Sequence, residues 1–178
     1  MTRQTIDQMI SALIDREGGY VFNRNDSGGE TKFGITRDVA KQFGYVGAMF
    51  DLPRSTAEAI YRKQYFESPG FDHVLALSAP IAEEMFDTGV NMGVTVPGQW
   101  LQRLLNALTD GAPLTVDGKV GPATINALQA YLKRRGADGE TVLVRGLNCL
   151  QGVKYLEITE ARVQNKSFIF GWLLNRVS

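Results

Sequence analysis

The chain has 178 residues, 44% hydrophobic and 21% charged, which is the composition of an ordinary globular protein that can bury a core. Lys and Arg total 19, as do Asp and Glu, and this neutral balance argues against a dedicated partner of nucleic acid or of a membrane surface. A single cysteine excludes an intramolecular disulfide, and a single histidine argues against a Ser-His-Asp triad or a multi-histidine zinc site.

The first predicted element is an N-terminal helix. Thr5 is a suitable N-cap and Gly18 a stop signal. Between them, apolar residues recur with the spacing of one helical face: Ile6, Met9, Ile10, Leu13 and Ile14. Residues 19–36 then lose the helical period and are rich in glycine and turn residues. This segment predicts a small, irregular antiparallel sheet or hairpin.

From residue 37 onward the pattern is helical. Residues 55–58 form a capping box after Pro53 and predict a helix that continues to about Glu67. The later helices are expected to begin near Pro80, to run through 100–108, to run from Pro122 to Gly136, and to span 140–165 and 168–177. Cys149, among apolar neighbours, is expected to be a buried thiol. The predicted fold class is mainly α (α+β), with a small N-terminal antiparallel β element.

Glu17 is out of place at the end of the first helix. It continues the apolar face, four residues after Leu13, and it occupies the last turn, where the helix dipole disfavours a carboxylate. Desolvation and the dipole would both favour the protonated carboxyl that a general acid requires. Asp26, in a polar, turn-rich loop, would stay ionised, and two carboxyls in such contrasting environments are typical of glycosidases. The alternatives are a core salt bridge for Glu17 and an Asx-turn for Asp26.

Several motifs resemble those of one enzyme family. A helix followed by E-G-G-Y and by N-D-S-G-G-E-T-K-F-G-I-T at 25–36 resembles the N-terminal signature of glycoside hydrolase family 108, the lysozyme-like N-acetylmuramidases of phages and prophages. D-G-K-V-G-P-A-T at 117–124 resembles the predicted peptidoglycan-binding region that accompanies the family. The resemblance implies one lysozyme-like domain over 1–178, with a catalytic glycoside hydrolase region at 1–90 and a helical peptidoglycan-binding region at 91–178 packed against it.

This resemblance implies specific catalytic roles. The enzyme would cleave the β-1,4 bond between N-acetylmuramic acid and N-acetylglucosamine, with Glu17 as the general acid. Asp26 and Thr31 would hold the attacking water. Glu30 is the rival of Asp26 as second carboxylate, and Thr36 is the rival of Thr31. Neither a metal nor an organic cofactor is implied.

The residues expected to bind substrate are Tyr20, Gly28, Gly29, Glu30, Phe33 and Asn91. The glycines would let the backbone approach a sugar closely and adopt positive φ in turns. Tyr20 and Phe33 are expected either to pack against sugar rings or to cover the small sheet. Asn91 would either hydrogen-bond an N-acetyl group or join two helices.

The implied partner is the glycan strand of peptidoglycan. We expect a monomer, with no nucleic-acid partner and no stable membrane insertion. The N-terminus is charged every few residues and predicts no signal peptide, so a protein made in the cytoplasm would reach the wall, in the periplasm, through a holin or a secretion route, as a phage endolysin does. The alternatives are a lytic transglycosylase and a non-hydrolytic peptidoglycan-binding or secretion-assisting protein.

Overall fold

The computed structural model describes residues 5–22 and 30–177. The chain divides into two compact units, Met1–Glu67 and Ser68–Ser178. The predicted fold class is confirmed, because helices dominate and the described strands form one small antiparallel sheet near the N-terminus. The organisation as a single continuous domain stays a prediction.

The first unit opens with helix α1, Ile6–Glu17, and the predicted caps of this helix are confirmed. Thr5 and Gln8 form a capping box, in which Thr5 Oγ1 accepts a hydrogen bond from the Gln8 amide and Gln8 Oε1 accepts one from the Thr5 amide. Gly18, with φ of 81°, ends the helix. Of the five residues of the predicted apolar face, Met9 is half-buried and the others are buried: Ile6, Ile10, Leu13 and Ile14.

A three-stranded antiparallel sheet follows, formed by β1 (Tyr20–Phe22), β2 (Glu30–Lys32) and β3 (Ile35–Thr36). Tyr20 lies opposite Lys32, and Thr31 lies opposite both Val21 and Thr36. Because side chains alternate along a strand, Glu30 and Lys32 belong to one face of the sheet and Thr31 to the other. The two candidate site residues on β2, Glu30 and Thr31, therefore lie on opposite faces of the sheet.

The remainder of the first unit is helical. Helix α2 spans Arg37–Gln42, a 3-10 turn spans Met49–Asp51, and helix α3 spans Arg54–Arg62 and packs against α1. The predicted capping box at 55–58 is wrong. Extended Pro53 precedes the first helical residue, Arg54, so Ser55 already lies inside the first turn. The last predicted turn is present as a π-helical segment, Lys63–Glu67.

The remaining elements, all of them helical, belong to the second unit. Its elements are α4 (Phe71–Leu75), α5 (Ala79–Met92), α6 (Thr95–Leu108), α7 (Pro122–Ala161), a 3-10 turn (Val163–Ser167) and α8 (Ile169–Arg176). Helix α5 packs against α4, α6 and α7, while α6 and α8 also pack against α7. The predicted break at Gly136 is confirmed, because its φ of 59° and ψ of −145° interrupt α7.

Cys149 departs from its predicted burial. Leu147 and Asn148 are buried, but the thiol of Cys149 is exposed. Successive residues of a helix are separated by about 100°, so a residue beside two buried ones can still face solvent. In the ranges 5–22 and 30–177, no helix has both the length and the apolar content needed to cross a membrane.

Candidate active site

The C-terminal end of α1 is joined to the hairpin that connects β2 and β3. Glu17 is the last residue of the helix, and Gly18 turns the chain away with a positive φ. The Gly18 carbonyl then accepts a hydrogen bond of 3.2 Å from the backbone amide of Phe33, in the hairpin turn. This bond holds the turn beside the helix end that carries Glu17.

The hairpin turn consists of two residues with left-handed backbone, Phe33 with φ of 55° and Gly34 with φ of 73°. Positive φ at both central residues is the conformation that two-residue antiparallel hairpins favour, because it matches the twist of the strands. Glycine adopts it without strain, but a phenylalanine does not. Strained residues of this kind are held in place by surrounding contacts and cluster at functional sites.

Gly34 lies directly against the side chain of Glu17. A Cβ atom at Gly34 would stand 2.8 Å from Glu17 Oε2 and 2.7 Å from the hydroxyl oxygen of Tyr61. Both distances are shorter than a normal contact, so a larger residue at this position would force the Glu17 and Tyr61 side chains to move. The turn, the carboxyl of Glu17 and the hydroxyl of Tyr61 therefore meet at one point.

Tyr61 on α3 completes this cluster. Its side chain is buried, and its hydroxyl donates a hydrogen bond of 2.8 Å to the carbonyl of Phe33. Burial, followed by the nearby charges of Glu17 and Tyr65, raises the pKa of Tyr61 well above its usual range, so the hydroxyl keeps its proton. The sequence did not indicate Tyr61, because it follows an ordinary helical pattern and meets Phe33 across 28 positions of the chain.

The expected desolvation of Glu17 is wrong. Its side chain is exposed, although one carboxylate oxygen faces Gly34 and Tyr61. The apolar face of α1 ends at Ile14, which is fully buried, and Glu17 lies one turn beyond it at the helix end. An exposed carboxyl beside a fixed turn remains accessible to a substrate, and the substrate itself would exclude water from it.

Glu30, on one face of the sheet, accepts hydrogen bonds from Tyr20 and from Arg37. Tyr20 donates a hydrogen bond of 2.8 Å to Glu30 Oε1, and Arg37 Nε donates one of 2.8 Å to Glu30 Oε2, with a second Arg37 nitrogen on the same oxygen. The hydrogen bonds from Arg37 and then Tyr20 lower the pKa of Glu30, while the bond to Glu30 raises the pKa of Tyr20. The Tyr20 ring also meets Phe50 edge-on at 5.6 Å.

Phe33 is half-buried and lies beside a cation. Lys32 Nζ is 5.2 Å from the centre of the Phe33 ring and 5.7 Å from that of Phe50, and it donates a hydrogen bond of 2.5 Å to the Phe50 carbonyl. Phe33 thus belongs to the turn that carries Gly34, and its predicted contact with a sugar ring stays a prediction.

The two candidate threonines, Thr31 and Thr36, differ in the hydrogen bonds of their hydroxyl groups. Thr36 is the N-cap of α2, and its hydroxyl accepts a hydrogen bond of 3.3 Å from the Val39 amide. Thr31 is half-buried, and within the described residues its hydroxyl makes no hydrogen bond. Thr36 therefore has a structural function in the cap of α2, whereas no described residue ties the Thr31 hydroxyl to such a function.

Three of the predicted residues, Asp26, Gly28 and Gly29, lie outside the described residues. Asn91 belongs to the second unit, on α5, where it is exposed and its amide donates a hydrogen bond of 2.7 Å to the Asp87 carbonyl of the same helix. In the part of the chain that the structure describes, no group of three His, Cys, Asp or Glu side chains is placed to hold a metal ion.

The second unit carries a groove of about 530 Å³ around the turn at 117–119. Gln102, which is buried, organises this turn through its side-chain amide. It donates to Asp117 Oδ1 at 2.9 Å and to the Lys119 carbonyl at 3.1 Å, and it accepts from the Gly118 amide at 2.8 Å. The hydrogen bond from Gln102, followed by one from the Lys119 backbone, lowers the pKa of Asp117. The motif at 117–124 therefore forms a hydrogen-bonded turn that leads into the first residues of α7.

Comparisons with known proteins assign each half of the chain. Residues 10–93 match the family model described as Glycosyl hydrolase 108, and residues 96–177 match the one described as Predicted Peptidoglycan domain. Among solved structures, the chain is similar to the one titled "Structure of Brucella abortus SagA", with 21% sequence identity, a TM-score of 0.51 and 91% of each chain covered. At this identity the likeness shows the fold alone. No curated protein matches the chain.

Proposed function

Since residues 10–93 belong to glycosyl hydrolase family 108 and residues 96–177 to a peptidoglycan domain, we propose that this glycoside hydrolase is an N-acetylmuramidase. It would cleave the β-1,4 bond between N-acetylmuramic acid and N-acetylglucosamine in peptidoglycan. One observation supports Glu17 as the reacting residue: its carboxyl is exposed at a helix end and lies beside the backbone of Gly34.

In the proposed reaction, Glu17 protonates the glycosidic oxygen of the bound glycan. The bond to the leaving sugar then breaks and leaves an oxocarbenium-like centre on the other sugar. A general acid must carry its proton when substrate is bound, and a glycan strand that covers Glu17 would remove the water that stabilises the carboxylate. The missing Cβ at Gly34 supports this role, because it lets the backbone approach the reacting groups closely.

Asp26 and Thr31 are proposed to hold the water that attacks the sugar. The partners of their rivals support this choice. Glu30 already accepts hydrogen bonds from Tyr20 and from Arg37, and Thr36 already caps α2. A carboxylate that is bound by an arginine and a tyrosine is a weak base, so Glu30 suits the stability of the sheet better than it suits catalysis.

The test is digestion of purified peptidoglycan, with the product ends identified by mass spectrometry. We expect reducing N-acetylmuramic acid ends from the wild type and a loss of about 100- to 10,000-fold in rate for Glu17→Gln. Glu160→Gln, an exposed glutamate on α7, is the matched control and should keep full activity. Anhydro ends would identify a lytic transglycosylase instead, and binding without products would identify a non-hydrolytic protein.

The second carboxylate is tested by comparing Asp26→Asn with Glu30→Gln in the same assay. Asp26→Asn should lower the rate by orders of magnitude, whereas Glu30→Gln should keep the rate at a temperature where the variant is folded. The opposite order would assign the role to Glu30. The anomeric configuration of the first product, followed by NMR, distinguishes inversion from retention.

For the cellular setting, we propose that the enzyme acts as a monomer on the cell wall after release from the cytoplasm. Release would depend on a holin or a secretion route, as for a phage endolysin. Expression in a bacterial cytoplasm with and without a co-expressed holin tests this proposal, since lysis should require both the holin and an intact Glu17. Sedimentation of the purified protein tests the monomeric state.

A further inference from the structure

We propose that the groove of the second unit binds the peptide stem of peptidoglycan, with Lys119 contacting a carboxylate of the stem and Asp117 contacting an ammonium group. The inference rests on peptidoglycan as the proposed substrate, and it adds a binding site to the site of reaction. The proposed reaction at Glu17 makes no use of the motif at 117–124, so this motif is still without a function.

The groove has the size of a ligand site. Its volume of about 530 Å³ lies within the range that is typical of pockets for small molecules. Its walls are formed by the loop at 112–115, by the turn at 117–119 and by the start of α7 at 121–124. Two loop segments and a helix end, all from the second unit, thus surround one open space.

Two side-chain amides of α6, one helical turn apart, hold these loop segments. Asn106 donates to the Leu114 carbonyl at 2.9 Å and accepts from the Leu114 amide at 2.7 Å. Gln102 bonds the turn at 117–119 in the same two-way manner, through its amide nitrogen and its amide oxygen. Because contacts within the protein already hold the walls, a ligand would pay little of its binding energy to order them.

Two groups of opposite charge line the groove. Asp117 and Lys119 are both exposed, and within the described ranges neither side chain forms an ion pair with the other or with a third residue. The hydrogen bond from Gln102 is the main cause that lowers the pKa of Asp117, so this carboxyl is ionised near neutral pH. A ligand that carries a carboxylate and an ammonium group would complement both charges.

Most of the other lining residues are apolar and compact. They are Ala112, Pro113, Leu114, Pro122 and Ala123. Such a surface suits small apolar groups, for example the methyl groups of alanine residues. The lining, as far as the structure describes it, contains no aromatic ring, which would give a sugar ring a broad flat contact. The composition of the lining therefore favours a peptide over a glycan.

The peptide stem of peptidoglycan has the groups that this groove would recognise. It is short, it contains alanine residues, and it carries carboxylates together with the amino group of its diamino acid. The groove also lies within residues 96–177, the part of the chain that matches the peptidoglycan domain. Charge and apolar lining together thus support the stem as the ligand.

The experiment follows the backbone amides of the full chain by heteronuclear NMR during two titrations. One probe is the stem tetrapeptide L-alanyl-γ-D-glutamyl-meso-diaminopimelyl-D-alanine, and the other is the neutral chitin disaccharide, which has sugars but no peptide. We expect the tetrapeptide, and not the disaccharide, to shift the amides of residues 112–124 in a saturable manner. The tetrapeptide has no glycosidic bond, so this measurement does not depend on catalysis.

Two pairs of variants test the contacts. Lys119→Gln should weaken tetrapeptide binding about 3- to 5-fold, whereas Lys133→Gln, an exposed lysine on α7, should leave it unchanged. Ala123→Leu places a larger side chain in the groove and should weaken binding at least about 10-fold, whereas Ala130→Leu, an exposed alanine on the same helix, should not. All four residues are exposed, so each variant should fold, and its amide spectrum checks this.

Each outcome of the titrations supports or overturns the inference. Tetrapeptide shifts at 112–124 that are weakened in both groove variants and kept in both controls support it. Shifts at 112–124 with the disaccharide alone would make the groove a glycan site and would overturn it. Tetrapeptide shifts elsewhere, no shifts at all, or unchanged affinity in the groove variants would overturn it as well.

Digestion of purified peptidoglycan separates this inference from the proposed function. If the wild type cleaves no glycan but the tetrapeptide binds in the groove, only the proposed reaction is wrong. If the wild type cleaves the glycan and Glu17→Gln does not, while the tetrapeptide fails to bind, only the inference about the groove is overturned. Cleavage together with binding in the groove supports both proposals.

Discussion

The carboxyl of Glu17 lies so close to the backbone of Gly34 that a carbon atom added at Gly34 would collide with it. The nearest carboxylate oxygen would be 2.8 Å from a Cβ at position 34, and the Cγ of Glu17 would be 3.1 Å away. The helix that ends at Glu17 and the hairpin that turns at Gly34 are therefore two parts of one site, although each is a short local structure.

This contact predicts that Gly34→Ala is damaging in a way that backbone strain alone does not explain. Both Gly34→Ala and Gly44→Ala place an alanine at positive φ, which costs about 1 kcal/mol of unfolding free energy. Only Gly34→Ala also displaces Glu17 and Tyr61, so we expect its kcat/KM to fall at least about 10-fold. Denaturant unfolding and peptidoglycan digestion of both variants measure the difference. Equal activity losses would contradict the prediction.

The hydrogen bonds of Glu30 predict how the stability of the first unit depends on acid. The pKa of Glu30 is lowered in the folded state, so its hydrogen bonds stabilise the fold. This contribution to the free energy of unfolding is present at a pH above the pKa that Glu30 has in the unfolded chain. It is lost as the pH falls through the pKa that Glu30 has in the folded protein. Glu30→Gln should therefore lower the melting temperature at pH 7 and show a smaller further loss on acidification. Glu67→Gln, which removes an exposed pair with Lys63, is the control and should change little.

The buried hydroxyl of Tyr61 is expected to make the free energy of unfolding decrease at alkaline pH. Its pKa is raised by folding, so its contribution is fully present below the unfolded tyrosine pKa, about 10, and is lost as the pH rises above it. Denaturant unfolding between pH 8 and pH 11 should show a steeper decline for the wild type than for Tyr61→Phe. A decline that is identical in the two proteins would show that burial of this hydroxyl does not control the alkaline limit.

Replacement of Gln102 is expected to destabilise the second unit. Gln102 is buried, and its side chain bonds Asp117, Gly118 and Lys119, so truncation leaves several polar groups without their partner. We expect Gln102→Ala to lower the unfolding free energy by about 2–3 kcal/mol. Gln129→Ala, an exposed glutamine on α7, should change it by less than about 0.5 kcal/mol.

Arg176 joins α8 to α5, and its replacement is expected to loosen α8. Its guanidinium donates to Asp87 Oδ1 at 2.6 Å, and both side chains are mostly buried. On the same helix, Trp172 stacks on Tyr155 with ring centres 5.0 Å apart. Arg176→Ala should lower the unfolding free energy by about 1–3 kcal/mol and shift the tryptophan emission to longer wavelength, as Trp172 becomes more exposed. Arg162→Ala, an exposed arginine, should leave both measurements unchanged.

Local patterns in the sequence were enough to predict most elements of the fold. Thr5, the apolar spacing of α1 and Gly18 specify a helix and both its ends, because each signal acts within four or five residues. The break at Gly136 and the first turn at Pro80 follow from the same short-range physics. The capping box at 55–58 failed because the extended Pro53 started the helix earlier than the motif suggested.

The surroundings of each candidate site residue were decided only by the tertiary structure. The sequence by itself identified Glu17 and the motifs of the family, and the match over 10–93 confirms the family. It did not reveal that Glu17 is exposed, that Glu30 is held by Arg37 and Tyr20, or that Tyr61 reaches the same point as Glu17. Those facts depend on contacts between separate helices and strands, and such contacts exist only after the elements of the first unit have packed together.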